Sequence, residues 1–158
     1  MTINKFVETI APFVMLESTL SHILPSVTLA QAIVESKHGD SGLTKKANNL
    51  FGIKGSYKGQ SVTMMTTEYI GGHYVKVPAH FRKYPNWWES ISDHSYLLIS
   101  AKRYANIPGC DNYITVCKNL QSDGYATAPD YAETLISYIQ RYKLDDYDKK
   151  RFELYGKL

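Results

Sequence analysis

The chain has 158 residues, of which 44% are hydrophobic and 21% are charged. This composition is typical of one globular domain and excludes a disordered, collagen-like or coiled-coil protein. Eighteen basic and fifteen acidic side chains leave a net charge of +3, which is too small to indicate nucleic-acid binding and suits an anionic polymer as partner.

The sequence also bears on membranes, disulfides and metals. No apolar run approaches the ~18 residues of a membrane span, and the segment after Met1 lacks the basic and then apolar stretches of a secretory leader. Cys110 and Cys117 would lie about 10 Å apart on a helix, too far for a disulfide, so buried free thiols are expected. The five histidines show no metal-ligand spacing, and we expect no metal and no organic cofactor.

The first part of the chain has helical periodicity. Apolar residues recur at helical spacing from Ile3 to Leu24. Pro12 is predicted to break or kink this segment into two helices, because proline lacks the N–H that a helix interior needs. Pro25 and Ser26 are start signals for the next helix, and Gly39 supplies a stop.

The period changes to two in the middle of the chain. Residues 48–59 resemble a loop, and apolar residues then alternate on both sides of two glycines at 71–72. This pattern predicts a β-hairpin with a two-residue turn. In that register Glu68 pairs with Val75.

Helical spacing returns in the second half, over residues 88–98, 113–120 and 131–142. The tail from Lys143 carries charges of both signs and is predicted to be a solvated end. The class expected from these elements is α+β, a mostly helical domain with one inserted hairpin.

Glu35 is the first candidate for chemistry. It lies near the end of a predicted helix, directly after Ile33 and Val34. A carboxyl among apolar neighbours keeps its proton to a higher pH, as a general acid for glycosidic bonds must. A solvated glutamate near a helix end fits the same sequence, because most glutamates are exposed.

Glu68 is the second candidate. It shares a strand face with Val62 and Met64, where an acid is costly unless it has a function or lies at the exposed end. Two carboxyls on separate elements could flank a scissile bond, but spacing by itself leaves both interpretations open.

Aromatic residues are a further kind of candidate. The chain has 13 tyrosines, which suit stacking on sugar rings and equally suit ordinary half-buried positions. Tyr84, Trp87 and Trp88 could form a sugar-stacking rim or pack the junction between the hairpin and the next helix.

Five blocks of sequence, taken in order, resemble one family. They are PSVTLAQAIVES (25–36), ANNLFGIK (47–54), VPAHFRKY (77–84), ESISDH (89–94) and GYAT (124–127). Together they are similar to the bacterial cell-wall glucosaminidases of glycoside hydrolase family 73, over nearly the whole chain.

The resemblance implies a lysozyme-like α+β fold in which a helical lobe and a small β-lobe, about residues 56–84, face each other across a substrate groove. It implies a single catalytic domain that hydrolyses the β-1,4 bond between N-acetylglucosamine and N-acetylmuramic acid in peptidoglycan. Glu35 matches the family's general acid and Glu68 stands in the place of the second carboxylate. Tyr125 matches a tyrosine of the catalytic cleft.

Further residues are expected near the substrate. Residues 48–52 are expected to form a turn at the groove floor, and aromatic residues are expected near the β-lobe. The expected substrate contacts are Asn49, Phe51, Phe81, Tyr84 and Trp87.

The sequence departs from the family pattern at three places. Lys37 and His38 stand where the family commonly has Gly-Trp, so an aromatic contact beside the acid is lost or replaced. Ala128 stands where an aspartate usually precedes the proline, and the Trp87-Trp88 pair is not a family feature. These departures bear on substrate preference and leave both carboxylates in place.

Several alternatives stay open. Glu68 could activate water or stabilise the oxocarbenium ion, or the substrate's own 2-acetamido group could be the nucleophile. A lytic transglycosylase would share the fold and leave 1,6-anhydro ends, and a wall-binding module would carry Glu35 without catalysis.

The expected partner is the peptidoglycan strand, bound by a monomer without membrane insertion. With no leader visible, we expect a protein made in the host cytoplasm and released through a holin-type pore, as a phage endolysin is. A catalytic domain trimmed from a longer secreted autolysin fits as well.

Overall fold

Seven α-helices and one β-hairpin make up the fold, and the computed structural model describes all residues 1–158. The helices are α1 (Ile3–Ser21), α2 (Pro25–Ser36), α3 (Gly42–Ala47), α4 (Trp87–Ser100), α5 (Tyr113–Ser122), α6 (Tyr131–Arg141) and α7 (Asp145–Tyr155). The strands are β1 (Ser61–Ile70) and β2 (His73–Arg82). The predicted α+β class, mostly helical with one inserted hairpin, is confirmed.

Helix α2 is the centre of the helical part. Pro25 occupies its first turn, where a missing N–H costs nothing, and ten of its twelve residues are buried. A helix that is buried all round belongs in a core, and α1, α5, α6 and α7 pack around it. It ends at Ser36 because Lys37 turns into the left-handed conformation, with φ 50°. The helix therefore presents its last turn, with Glu35, at the edge of the core.

The prediction that Pro12 divides the first helix is wrong, because α1 is continuous from Ile3 to Ser21. Pro12 is exposed, while Ile10 and Val14 on the other face are buried in the core. The missing hydrogen bond is thus confined to the solvent side, and burial of the apolar face holds the two halves in one helix.

The hairpin has the predicted register, in which Glu68 pairs with Val75. Gly71 and Gly72 form its turn with φ of 60° and 83°, the left-handed values that a two-residue hairpin turn requires. An isolated two-stranded sheet is marginally stable in water, so its attachments matter. At its base the Arg82 amide donates to the Ile53 carbonyl at 2.9 Å.

The prediction of a solvated tail after Lys143 is wrong, because this segment forms α7 and packs on the core. Leu144, Asp148 and Arg151 are all buried there. Asp148 accepts hydrogen bonds from the amide and hydroxyl of Ser26 at 2.8 and 2.6 Å. Two charged residues of this segment, Asp148 and Arg151, bond buried residues more than 100 positions earlier in the chain.

Both cysteines are free thiols; Cys117 is buried as predicted, whereas Cys110 is only half-buried. No helix combines the length and the apolar character that crossing a membrane requires.

Candidate active site

A cleft of about 820 Å³ separates the hairpin from the helical part. Its walls are the end of α2, the loop around residues 51–54, the inner face of β1 and the loop at residues 124–128. Glu35, Glu68 and Tyr125 all line this cleft. The structure therefore brings the three residues expected to be catalytic to one site.

Glu35 lies in the last turn of α2, where the backbone of Gly52 passes directly over it. A Cβ atom on Gly52 would approach Glu35 Oε2 to 3.1 Å, and the φ of +64° also favours glycine. Burial raises the pKa of Glu35 to about 7; a hydrogen bond with Tyr131 opposes this rise and the charge of Glu68 adds to it. Glu35 can therefore hold a proton in neutral solution.

Glu68 lies on the inner face of β1, where its surroundings favour the charged form of the carboxyl. Burial raises its pKa, but hydrogen bonds from Lys54 and Thr127 outweigh burial and leave the pKa below the ordinary value. Lys54 Nζ lies 2.8 Å from Oε1, and the Thr127 hydroxyl lies 2.7 Å from Oε2. In neutral solution Glu68 is therefore ionised, while Glu35 can hold its proton.

Thr127 also connects the two walls of the cleft. Its hydroxyl donates to Glu68 and accepts a hydrogen bond from the Tyr69 amide at 2.9 Å. We call this pair of hydrogen bonds the Thr127 bridge. It joins the far end of β1 to the loop between α5 and α6.

Tyr125 stands on the helical side of the cleft. Its hydroxyl donates to the Phe51 carbonyl at 3.1 Å, and its ring stacks on Tyr131 with centroids 5.8 Å apart. Burial and the charge of Glu35 raise its pKa well above the ordinary value, so it stays neutral. The hydroxyl proton of Tyr125 is thus used in its hydrogen bond to the Phe51 carbonyl at the groove floor.

Of the five expected substrate contacts, Phe51 and Phe81 line the cleft and Asn49, Tyr84 and Trp87 do not. Asn49 is fully buried, and its amide group holds the 49–53 turn together by bonding the backbone of that turn and of Arg82. This interior role explains why its side chain is turned away from the cleft.

Tyr84 and Trp87 also pack inside the protein. The Tyr84 hydroxyl donates to Asp93 at 2.6 Å, and the ring is 2% exposed. Trp87 packs edge-to-face on Phe6, with centroids 5.5 Å apart, and covers Gly39. An aromatic side chain does stand beside the turn after α2, but it comes from the start of α4.

The other departures from the family pattern are divided between the cleft and the surface outside it. Lys37 and Ala128 line the cleft, whereas His38 pairs with Asp40 at 3.7 Å. Trp88 packs against Phe13 outside the cleft, with centroids 5.4 Å apart.

Sequence reasoning missed three residues that act on the carboxyls, namely Lys54, Thr127 and Tyr131. Lys54 and Thr127 stand at the ends of two of the quoted blocks, which was the available signal. Tyr131 is a helix-start tyrosine without a distinguishing local pattern. No group of three or more His, Cys, Asp or Glu side chains is placed to hold a metal ion.

The site thus holds two carboxyls whose pKa values are pushed apart, on opposite sides of one cleft. Environments that separate two titratable groups in this way identify an acid and an ionised partner. Such a pair suits proton donation to a leaving oxygen together with stabilisation of positive charge.

Comparisons with known proteins identify the family of this chain. The sequence profile of the glucosaminidase family, described as mannosyl-glycoprotein endo-beta-N-acetylglucosaminidase, matches residues 11–144. The chain is 46% identical over 133 residues to the exo-glucosaminidase LytG of Bacillus subtilis, covering 81% of this chain and 47% of LytG. It spans about half or less of the length of the curated relatives it matches.

Two solved structures share the fold. The catalytic domain of the autolysin Auto from Listeria monocytogenes matches with a TM-score of 0.79 and 37% identity, over 92% of this chain and 87% of that one. A truncated glycoside hydrolase domain of FlgJ from Salmonella typhimurium matches with a TM-score of 0.70 and 34% identity, over 90% and 98%. The lysozyme-like fold expected from the resemblance is confirmed, and the chain belongs to the glucosaminidase family of glycoside hydrolases, family 73.

Proposed function

We propose that residues 1–158 form a single catalytic domain that hydrolyses the β-1,4 bond between N-acetylglucosamine and N-acetylmuramic acid within peptidoglycan strands. The observation that carries this proposal is the pair of carboxyls across the cleft. Glu35 has a pKa of about 7, whereas the pKa of Glu68 lies below its ordinary value. Glycoside hydrolysis needs this division between a proton donor and an ionised carboxylate.

In the proposed reaction, protonated Glu35 donates its proton to the leaving oxygen while positive charge develops at the anomeric carbon. The ionised Glu68 stabilises that charge from the opposite wall. Glu68 accepts hydrogen bonds at both oxygens, from Lys54 and Thr127, and these bonds stabilise its charged form and make it a weaker base toward water. We therefore propose an electrostatic role for Glu68 and the substrate's 2-acetamido oxygen as nucleophile.

The role of Glu68 has its own test. If the acetamido group is the nucleophile, Glu68→Gln retains part of the activity, and added azide yields no glycosyl azide. A Glu68→Gln variant that is inactive and is restored by azide, with glycosyl azide as product, would instead identify Glu68 as the base.

The charge of the cleft supports an anionic glycan as substrate. Four cationic side chains line it, on four different segments: Lys37, Lys54, Arg82 and Arg103. Lys54 and Arg82 are paired with Glu68 and Asp93, whereas Lys37 and Arg103 form no ion pair within the protein. Peptidoglycan carries carboxylates on its stem peptides, and on the lactyl groups of units that lack a stem peptide, and the cations of the cleft would draw such a strand toward the site. A neutral polymer such as chitin would gain nothing from them.

The decisive experiment is a digest of purified peptidoglycan, followed by borohydride reduction and mass spectrometry of the new ends. We expect reduced N-acetylglucosamine ends on fragments of mixed length, and no release by Glu35→Gln. If the digest releases only terminal sugars, the enzyme cleaves from the ends of the strands, and exo cleavage would replace the endo assignment. Reduced muramic acid ends, 1,6-anhydro ends, or binding without cleavage would overturn the proposed reaction.

The proposed place of action is the bacterial cell wall, with the peptidoglycan strand as partner of a monomer. Some curated relatives, of more than twice this length, carry a similar domain, which fits a longer autolysin, whereas release through a holin-type pore fits an endolysin. Light scattering on the purified chain tests the monomer, since a dimer would double the measured mass.

A further inference from the structure

A chain of buried polar side chains lies behind Glu35 and is not used by the mechanism above. Gln31 stands one turn before Glu35 on α2, while α4 and α6 contribute His94 and Tyr131. Gln31 Nε2 lies 3.0 Å from the Tyr131 hydroxyl, and Gln31 Oε1 lies 2.8 Å from His94 Nε2. Gln31 and His94 are completely buried, so neither touches the substrate.

The hydrogen bonds of this chain all run toward Glu35. Burial lowers the pKa of His94 to about 3, so its ring is neutral and carries one proton. His94 Nδ1 has no partner, and a bare nitrogen there is preferable to a buried N–H without an acceptor, which is rare in proteins. The proton therefore lies on Nε2 and is donated to Gln31 Oε1, which leaves the Gln31 amide N–H for the Tyr131 oxygen.

Packing fixes the His94 end of the chain. The His94 ring stacks on Phe51 with centroids 3.9 Å apart, and Tyr125 meets its edge at 6.2 Å. No charged group acts on His94, whose pKa shift comes from burial only. The ring therefore keeps one orientation and one protonation state across the working pH range.

The far end of the chain acts on Glu35. Because the Tyr131 oxygen accepts from Gln31, its own proton is available to the Glu35 carboxyl, and this hydrogen bond lowers the pKa of Glu35. The other groups that face Glu35 act differently: the charge of Glu68 on β1 raises its pKa, and the neutral Tyr125 hydroxyl is donated to a backbone carbonyl. Tyr131 is thus the group that opposes burial.

We propose that Gln31 and His94 are positioning residues that hold the Tyr131 hydroxyl as a one-way donor to Glu35, and so set the pH at which the general acid loses its proton. The proposal rests on the proposed role of Glu35. Without the chain, the acid would hold its proton to a higher pH and transfer it less readily, since proton transfer is fastest from an acid matched to the working pH.

The test follows the Glu35 carboxyl directly, by carbon NMR titration of the labelled protein. We expect Tyr131→Phe, which removes one hydrogen bond to the carboxylate, to move the Glu35 midpoint upward by about one pH unit, and Gln31→Met and His94→Phe to move it in the same direction by less. His94→Gln, which keeps an N–H at the same reach, returns the midpoint toward the wild-type value. Gln31→Glu draws the Tyr131 proton away from Glu35 and adds a negative charge, so its upward shift is the largest of the series.

A control on α4 separates positioning from stability. Ser90 is fully buried and its hydroxyl accepts from the Leu50 amide at 3.0 Å, outside the chain. Ser90→Ala lowers the melting temperature without moving the Glu35 midpoint. An unmoved midpoint in folded Gln31→Met and His94→Phe, or in Gln31→Glu if those two do not fold, would overturn the proposal.

Two further readouts keep this proposal apart from the proposed function. Nitrogen NMR of His94 shows the proton on Nε2 if the chain runs as argued, and a proton on Nδ1 overturns it. If Glu35→Gln retains full activity, the proposed function fails, while the NMR midpoints still decide the role of the chain. If both hold, the alkaline limb of kcat/KM moves with the midpoint in every variant.

Discussion

Glu35 and Glu68 are the same residue type and differ in what surrounds them. The carboxyl of Glu35 is half-buried in the cleft wall beneath the Gly52 backbone, so burial disfavours its charged form. That of Glu68 meets an ammonium and a hydroxyl, which favour its charged form. Burial raises the pKa of both carboxyls, and the hydrogen-bond partners of each decide whether its net pKa shift is upward or downward.

This difference predicts the pH dependence of catalysis. Above pH 7 the proton of Glu35 is lost, so kcat/KM falls about tenfold per pH unit. The acid limb lies below pH 4.5, because the pKa of Glu68 is lowered from that value. A kcat/KM profile on soluble glycan fragments checks both limbs, and a flat profile from pH 6 to 9 would contradict the role of Glu35.

The raised pKa of Glu35 also predicts a pH-dependent cost to stability. Because folding raises the pKa of Glu35, the contribution of this group to the free energy of unfolding is largest below about pH 4.5. It is lost as the pH rises to about 7. Glu35→Gln abolishes turnover and removes this loss, so the variant gains up to about 3 kcal/mol above pH 7 and almost nothing at pH 4. Urea unfolding of both proteins at the two pH values measures the difference.

Gly52 supports the acid in two ways, which a matched pair of variants separates. Gly52→Ala strains a backbone with φ +64° and pushes against Glu35 Oε2, whereas Gly59→Ala meets the same strain at φ +79° with nothing within 4 Å. Each change costs about 1–2 kcal/mol of stability. Only Gly52→Ala should lose most of the activity; equal activity of the two variants would show that the close approach is unimportant.

Among the elements, the hairpin depends most on its attachments. It has two strands and no other sheet neighbour, so backbone pairing holds it internally but does not fix it over the cleft. Its base is fixed to the loop before it, and its far end is fixed by the Thr127 bridge. The second carboxylate therefore has a defined position only while these attachments hold.

Thr127→Val tests the bridge, since valine has the same shape and no hydroxyl. Glu68 loses a donor, so its pKa rises and the acid limb of kcat/KM moves upward. The Tyr69 amide loses its acceptor and should exchange its hydrogen faster. Thr63→Val is the control, because Thr63 bonds His80 at a distance from Glu68; equal behaviour of the two variants would refute the bridge.

For the molecule as a whole, α7 ties the end of the chain to the helix that carries the acid. Asp148 bonds the start of α2 through Ser26, and Arg151 bonds the hydroxyl and carbonyl of Ser18 on α1. Glu35 lies at the other end of α2. The position of the general acid thus depends on a helix that is far from the cleft and late in the chain.

Variants of α7 measure this dependence. Asp148→Ala leaves the Ser26 amide and hydroxyl buried without an acceptor, at a cost of about 1–3 kcal/mol. Lys149→Ala, on the same helix, removes only exposed ion pairs with Asp145 and Asp146 and costs under about 1 kcal/mol. Urea unfolding compares them, and equal losses would mean that α7 contributes only surface charge.

Local patterns account for most of the elements and for the choice of the two carboxyls. The start of α2 at Pro25, the Gly71-Gly72 turn and the register that pairs Glu68 with Val75 all follow from the sequence, because helix starts and hairpin turns depend on neighbouring residues. Apolar periodicity likewise predicts which face of each element is buried. The sequence blocks around Glu35 indicated the family before any contact was known.

Contacts between distant residues required the tertiary structure. The Asp148–Ser26 bond joins positions 122 apart, and the Thr127–Glu68 bond joins positions 59 apart, so no local period records either. For the same reason Asn49 could be expected in the groove although its amide is used inside the turn. A side chain's partners, and with them its pKa and role, depend on which elements pack together, and that packing is set by the free energy of the whole core and not by any short stretch of chain.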